Sequence, residues 1–298
     1  MSALVGVHAH PDDETLWTGG MIAHYAAAGV AVVLVTCTLG EQGEVLIGEL
    51  RGLAADRADQ LGGYRLAELR AACAALGTID QRFLGGIGRW RDSGMVAEPG
   101  ARASAPAELH PRAFAAGIFP EQVDALVEVL DQVRPQVVVS YGPDGGYGHP
   151  DHVRAHQVTM AAAAQISEVA RVFWAVRPVS AVAQGIIALR AMPGLPFPLP
   201  GPHGLPGGSD AEVTTTLDVS AHRSAMLAAM RAHATQITVW TEGPHVAFAL
   251  SDGVARPVFD IEYFTLARGA AAGAHDDLFG GLPGPVVAPP EMPQRIPQ

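Results

Sequence analysis

The first half of the chain alternates short apolar runs with longer stretches of helical spacing. Residues 3–9 (ALVGVHA) and 30–39 (VAVVLVTCTL) are rich in β-branched residues and lack polar alternation, which is typical of strands covered on both faces. The residues between them, 16–29, predict a helix with Gly29 where a C-terminal cap belongs.

The same alternation continues up to the middle of the chain. A helical pattern covers residues 50–76 and could break at Gly62-Gly63, and residues 81–85 could form a third strand. A helix over 120–135 lies between two prolines and leads into an apolar strand over 136–142. This order predicts the α/β fold class, with a Rossmann-like, mostly parallel sheet and helices on both faces.

The second half gives weaker patterns. Strands are predicted over residues 214–220, 245–250 and 259–268, the later ones in a small second sheet, and a helix over 221–236. A proline- and glycine-rich loop spans residues 191–208.

These patterns suggest three parts of the chain. Residues 1–176 form an α/β metal-binding catalytic core, residues 177–268 a smaller β-containing part that completes the substrate pocket, and residues 269–298 a flexible tail.

Composition narrows the class of protein. The net charge of −11 disfavours nucleic acid as a partner, because neutralising phosphates requires a basic surface. No apolar run reaches the ~18 residues that a membrane helix needs, and we find no secretory leader, so we expect a cytoplasmic protein. The two cysteines, Cys37 and Cys73, are predicted to be buried small hydrophobes.

Two clusters of histidine and aspartate follow predicted strands. The stretch HAHPDDE, residues 8–14, comes after the first strand, and GPDGGYGHPDH, residues 142–152, comes after the strand at 136–142. Ligands of open α/β sheets bind beyond the carboxyl ends of the strands. We therefore expect both clusters on one rim of the sheet.

The residue types of these clusters suit a divalent metal ion. His10, Asp13 and His152 would supply three nitrogen or oxygen ligands and leave a position open for water, as in catalytic zinc sites. The cofactor expected is one Zn²⁺ per subunit, although Fe²⁺ accepts the same two-histidine, one-carboxylate set.

The remaining polar residues fit the hydrolysis of an amide. Asp12 could accept a proton from metal-bound water. Protonated His149 could stabilise the oxyanion or protonate the departing amine, with Asp151 orienting it and raising its pKa. The Tyr147 hydroxyl could reach the same oxyanion.

Four further residues each have two possible roles. His8 could support a metal ligand or be a satisfied core histidine, and Glu14 could belong to the site or to the first turn of a helix. His233 and Gln236, in AHATQ, could line the substrate side or cap the helix before them.

At HPDDE and HPDH the chain resembles the LmbE-like superfamily, which includes the GlcNAc-phosphatidylinositol de-N-acetylases (PIG-L). The resemblance implies an LmbE-like fold and a metal, usually zinc, held by His10, Asp13 and His152. It also implies that Asp12 is the base and that His149 stabilises the oxyanion.

Further motifs, among them ADQLGGYR, GRWRDSGM and GGYGHPDH, resemble the branch of this family that serves mycothiol biosynthesis. Enzymes of this branch remove acetate from a small glycoside, N-acetylglucosaminyl-inositol. The resemblance implies that Arg65, Asp92 and Glu44 contact hydroxyls of the sugar or the inositol.

Two alternative functions remain at this stage, and the oligomeric state stays open. Mycothiol S-conjugate amidases share HAHPDDE and HPDH, but this chain has Gly148 where they have proline in GGYPHPDH. From another class, a sugar-binding module could use its metal only to grip hydroxyls.

Overall fold

The computed structural model describes residues 2–77, 79–201 and 203–283. Its strands are β1 (Ala3–His8), β2 (Ala31–Thr36), β3 (Asp80–Phe83), β4 (Val96–Glu98), β5 (Arg102–Ser104), β6 (Val137–Tyr141), β7 (Arg171–Val176), β8 (Thr215–Asp218), β9 (Thr238–Glu242), β10 (His245–Ala249), β11 (Arg256–Pro257) and β12 (Ile261–Arg268). Its helices are α1 (Asp13–Ala27), α2 (Leu61–Leu76), α3 (Phe119–Val133), α4 (Pro150–Ala163), α5 (Val179–Arg190) and α6 (Arg223–Ala232). No helix in these described ranges is long and apolar enough to cross a membrane.

The predicted α/β fold class is confirmed. Within the described residues, seven strands form the main sheet in the order β3-β2-β1-β6-β7-β12-β8. The first five strands of this order pair in parallel, and β12 pairs antiparallel with both β7 and β8. Helices α1 and α6 pack with one another on one side, whereas α3 and α4 pack together in the other main core cluster.

Several element predictions need correction. The helical pattern over residues 50–76 yields a helix only from Leu61, so Gly62-Gly63 lies inside its first turn and does not interrupt it. Strand β12 was expected in a small second sheet, but it joins the main one. The small sheet consists of β9, β10 and β11.

Helix α1 is interrupted at Thr18, whose backbone has φ −142° and ψ 16°. Such a break frees backbone groups that need new partners. The buried carboxylate of Glu262 on β12 accepts hydrogen bonds from Gly20 N–H at 2.7 Å and Met21 N–H at 2.8 Å. Arg177 donates to the Leu16 carbonyl on the other side of the break. The C-terminal part of the chain therefore completes α1.

The described part of the predicted tail, residues 269–283, packs against the core, and residues 284–298 lie outside the described residues. Leu278 is fully buried, and the Tyr25 hydroxyl donates to Asp277 Oδ1 at 2.7 Å. The buried guanidinium of Arg171 donates to three carbonyls of this segment, those of Ala270, Ala272 and Leu278. The three-part division of the chain stays a prediction, but residues 269–283 are ordered here by these contacts.

Replacing Arg171 by methionine should therefore release this segment. The three carbonyls lose a charged donor, and we expect the free energy of unfolding to fall by about 2–3 kcal/mol in urea denaturation. Arg57→Met is the matched control, since that side chain is 70% exposed and should change stability by less than ~0.5 kcal/mol. Equal losses in both variants would contradict the role given to Arg171.

Candidate active site

The two sequence clusters meet at one edge of the main sheet, as predicted. Strands β1 and β6 are adjacent and parallel, with Leu4 opposite Val137. The first cluster fills the turn from β1 into α1, and the second fills the loop from β6 into α4. Both loops leave the carboxyl ends of their strands, so the topology places them side by side.

The three residues predicted as metal ligands lie together, with both histidines close to one oxygen atom of Asp13. Asp13 Oδ2 lies 3.2 Å from His10 Nδ1 and 3.3 Å from His152 Nε2. All three side chains are buried. The rings of His10, His149 and His152 also have ligand atoms within 4.8 Å of one another.

The hydrogen bonding of His152 tests whether a cation fits here. Its Nδ1 lies 3.1 Å from the Gly145 carbonyl and must be the protonated nitrogen. In the neutral ring, the form that binds a metal, Nε2 carries the lone pair, and no described residue donates a hydrogen bond to this buried atom. That lone pair faces the Asp13 carboxylate, which is also an acceptor. Two acceptors facing one another in a buried site fit a cation between them.

Acidic groups surround the far side of His10. Its Nε2 lies 3.2 Å from Asp151 Oδ2 and 3.5 Å from Asp92 Oδ1. Burial alone would lower the pKa of His10, but these carboxylates and Asp13 raise it well above its usual value. Histidines that bind metals commonly donate their second N–H to a carboxylate, which fixes the ring.

The predicted partnership of Asp151 with His149 needs correction. The Asp151 carboxylate accepts from the Ser93 N–H at 2.8 Å, bonds the Ser93 hydroxyl and lies against His10. It reaches His149 only through its backbone, since the Asp151 N–H donates to His149 Nδ1 at 3.1 Å. Ser93 was not identified from the sequence, although it lies within GRWRDSGM.

The pKa of His149 lies well below its usual value in this arrangement. Burial, followed by repulsion from His10, lowers the pKa of His149 to about 2, which favours the neutral ring over the expected protonated form. Because Nδ1 accepts the Asp151 N–H, the ring proton belongs on Nε2. His149 lines the cavity and can act there as a neutral hydrogen-bond donor.

Asp12 lies at the start of α1 with a backbone φ of 111°, which is unusual for a residue other than glycine. Its side chain is 15% exposed. Burial raises the pKa of Asp12 to about 6, although the charge of Arg65 opposes the shift. A carboxylate with its pKa near neutrality and access to a cavity is suited to proton transfer.

Arg65 binds the turn from β1 into α1, which contains Pro11 and Asp12. Its Nη2 donates to Asp12 Oδ2 at 2.9 Å and to the Pro11 carbonyl, and its Nη1 donates to the Gly40 carbonyl at 2.8 Å. The side chain is buried, and its Nε has no partner among the described residues. The structure therefore shows Arg65 holding Asp12, and its predicted contact with substrate hydroxyls stays a prediction.

A cavity of about 490 Å³ opens in front of these residues, within the range typical of small-molecule sites. The predicted site residues that line it are His10, Asp12, Asp13, Glu44, Arg65, Asp92, Tyr147 and His149. The loop at 191–208 contributes Gly204, Leu205 and Pro206, and residues after 235 add further wall. The C-terminal part of the chain thus helps to enclose this cavity.

Asp92 and Tyr147 differ in how free they are to bind a ligand. Asp92 accepts from the Gln42 N–H at 3.1 Å and the Gly94 N–H at 2.8 Å, so much of its capacity is used within the protein. The Tyr147 hydroxyl has no hydrogen-bond partner among the described residues and remains protonated, because burial raises the pKa of Tyr147.

His8 and Glu14 both lie in the buried interior. His8 is fully buried, with its Nε2 2.9 Å from the Thr18 hydroxyl, and burial lowers the pKa of His8 to about 4. It is a core histidine, although its Nδ1 has no partner among the described residues. Glu14 is fully buried, and its Oε1 lies 2.7 Å from His233 Nε2. The sequence patterns did not predict this pair.

Gln236 is both a lining residue and a link between segments. It lines the cavity and donates through Nε2 to the Glu44 carbonyl at 2.9 Å. Glu44 itself is exposed at the cavity wall.

Comparison with known proteins gives strong matches over nearly the full chain. The family model described as GlcNAc-PI de-N-acetylase (PIG-L) matches residues 5–163. The 1D-myo-inositol 2-acetamido-2-deoxy-alpha-D-glucopyranoside deacetylase 1 of Saccharopolyspora erythraea is 61% identical over 284 residues, covering 94% of each chain. The deacetylase of the same substrate name from Actinosynnema mirum is 58% identical, covering 94% of this chain and 97% of the relative.

Solved structures show the same fold at much lower identity. GalB, the 4-carboxy-2-hydroxymuconate hydratase from Pseudomonas putida KT2440, is 18% identical, with a TM-score of 0.53 over 91% of this chain and 98% of that chain. This likeness concerns the fold alone, since one fold supports different chemistries.

Proposed function

Because the chain belongs to the GlcNAc-PI de-N-acetylase (PIG-L) family, we propose that it hydrolyses the N-acetyl group of N-acetylglucosaminyl-inositol in mycothiol biosynthesis. The products are acetate and the free glucosaminyl-inositol. The observation that carries this proposal is the identity of 61% to a relative named for this substrate, over 94% of both chains. The match to the family model, residues 5–163, includes both His/Asp clusters.

We propose Zn²⁺ as the cofactor, one ion per subunit, held by His10, Asp13 and His152. The facing acceptors of Asp13 and His152 support a cation at this point, and Fe²⁺ suits the same donors. When bound, such an ion lowers the pKa of a coordinated water and polarises the amide carbonyl.

In this proposal Asp12 transfers the proton, and His149 and Tyr147 donate hydrogen bonds. Asp12 accepts the proton of the attacking water, and Arg65 holds its carboxylate toward the cavity through Oδ2. The same proton, delivered to the amide nitrogen, allows the carbon–nitrogen bond to break and the amine to leave. The Nε2–H of His149 and the Tyr147 hydroxyl are donors for the carbonyl oxygen as it gains negative charge.

A product assay on two amides tests this function. We expect kcat/KM for acetate release from N-acetylglucosaminyl-inositol to exceed that for cleavage of a bulky mycothiol S-conjugate by at least about 10²-fold, in keeping with discrimination by contacts in a fitted site. The two substrates are compared on one preparation of known metal content. A preference for the conjugate would instead support the amidase alternative.

A further inference from the structure

Glu14 and His233 form a buried ion pair. This pair connects the turn around Asp12 to the C-terminal half of the chain. His233 Nε2 lies 2.7 Å from Glu14 Oε1, and both residues are fully buried. His233 follows α6, and Glu14 lies in the first turn of α1. In this pair the His233 Nε2–H donates to the Glu14 carboxylate, and His233 Nδ1 has no partner among the described residues.

The second oxygen of Glu14 holds the backbone of Asp12. Glu14 Oε2 accepts the Asp12 N–H at 2.9 Å, while Thr15 donates to Oε1. The positive φ of Asp12, 111°, costs about 1–3 kcal/mol and persists only where neighbouring groups impose it. The Asp12 N–H bond to Glu14 acts directly on this strained peptide.

The contact with His233 allows the Glu14 carboxylate to be buried in its ionised form. An ionised carboxylate without a counter-charge would be strongly disfavoured in a fully buried site. Burial acts to lower the pKa of His233, but the charge of Glu14 outweighs it and raises that pKa. A charged acceptor binds a backbone N–H more strongly than a neutral one.

We propose that Glu14 and His233 are positioning residues for deacetylation: His233 holds the Glu14 carboxylate on the Asp12 N–H, which fixes the turn that directs Asp12 into the cavity. This inference rests on the proposed function, with Asp12 as the base. It gives His233 of AHATQ, residues 232–236, a role in aligning the base, and His233 does not line the cavity.

The variant His233→Ala tests the proposal kinetically. We expect kcat for acetate release to fall by about 10²-fold, the scale of a small misplacement of a reacting group, with KM and metal content unchanged. Free imidazole should restore part of kcat, since the substitution leaves a space of that shape beside Glu14. Glu14→Gln keeps an acceptor for the Asp12 N–H and should lose less activity than Glu14→Ala.

Thr235→Ala is the matched control in the same segment. The Thr235 hydroxyl and N–H bind Glu68, not Glu14, so this variant should keep its kcat within about twofold while loosening the segment. A loss in Thr235→Ala equal to that in His233→Ala, or wild-type kcat in His233→Ala, would overturn the proposal.

An NMR measurement separates this inference from the proposed function. The Asp12 amide proton should resonate downfield in the wild type and move upfield in Glu14→Ala and His233→Ala as its hydrogen bond weakens. If the wild type releases no acetate, the proposed function fails, while the Asp12 resonance still reports on the pair. An Asp12 amide unchanged in both variants overturns the inference whatever the activity.

Discussion

Asp12→Asn is expected to lower kcat for acetate release by about 10³- to 10⁴-fold, the upper range for loss of a positioned general base. The amide has nearly the shape of the carboxylate and can still accept from Arg65, but it cannot take a proton from water. KM and the metal content should stay near the wild-type values, because Asp12 is not one of the proposed ligands His10, Asp13 and His152. Steady-state kinetics and elemental analysis of the same samples measure the three quantities.

Asp124→Asn is the control for a neutralised carboxylate, since Asp124 is exposed on α3 and should leave kcat unchanged. The Asp12 variant also separates an enzyme from a sugar-binding module, which needs no base. Normal turnover in Asp12→Asn would remove Asp12 from the mechanism proposed above.

His152→Ala is expected to abolish acetate release and to weaken metal binding by more than about 10²-fold, because even residues that only support a ligand contribute 10- to 100-fold. The loss follows from the unpartnered lone pair of His152 Nε2, which faces Asp13 at 3.3 Å. Metal per chain after dialysis against a chelator measures the affinity, and separate anaerobic reconstitution with Zn²⁺ and Fe²⁺ measures which ion supports activity.

His156→Ala is the matched histidine variant on the same helix. The His156 ring is half-buried and its Nδ1 contacts the Tyr141 carbonyl at 2.9 Å, so metal content should be retained. An unchanged metal stoichiometry in His152→Ala would show that the ligand assignment is wrong.

The sequence was sufficient to predict where the site lies, because that prediction needs only local patterns. The apolar runs that became β1 and β6 lack alternation, and each ends in a His/Asp cluster. Adjacent parallel strands bring such ends together whatever lies between them. The fold class and the convergence of the two clusters follow from that rule.

The roles of individual charged groups were harder to predict, because they depend on contacts between distant segments. Asp151 precedes His152 and was assigned to neighbouring His149, whereas its carboxylate contacts His10 and Ser93. Arg65 is assigned to substrate by resemblance, which stays a prediction, but its contacts with Asp12 and the Pro11 carbonyl were not anticipated. Neither arrangement leaves a periodic signal in the sequence.

Strands β7 and β12 illustrate the same limit at the level of topology. Residues 171–176 were not identified as a strand, and β12 was placed in a separate sheet, yet the two pair antiparallel toward the β8 edge of the main sheet. Four parallel strand pairings precede β12 in the sheet, and the prediction of strand order assumed that this repeat continues. The antiparallel pairing of β12 with β7 breaks the repeat.

The interruption of α1 has a consequence for how the protein is made. Gly20 obtains its hydrogen-bond partner from Glu262, 242 positions later in the chain, and Glu14 obtains its partner 219 positions later. When the HPDH motif of a nascent chain has just left the ribosome, His233 and Glu262 have not yet been synthesised. The turn around Asp12 then lacks the contacts that stabilise it. Contacts this remote in sequence slow folding, so we expect hydrolytic competence to arise only after synthesis has passed residue 262.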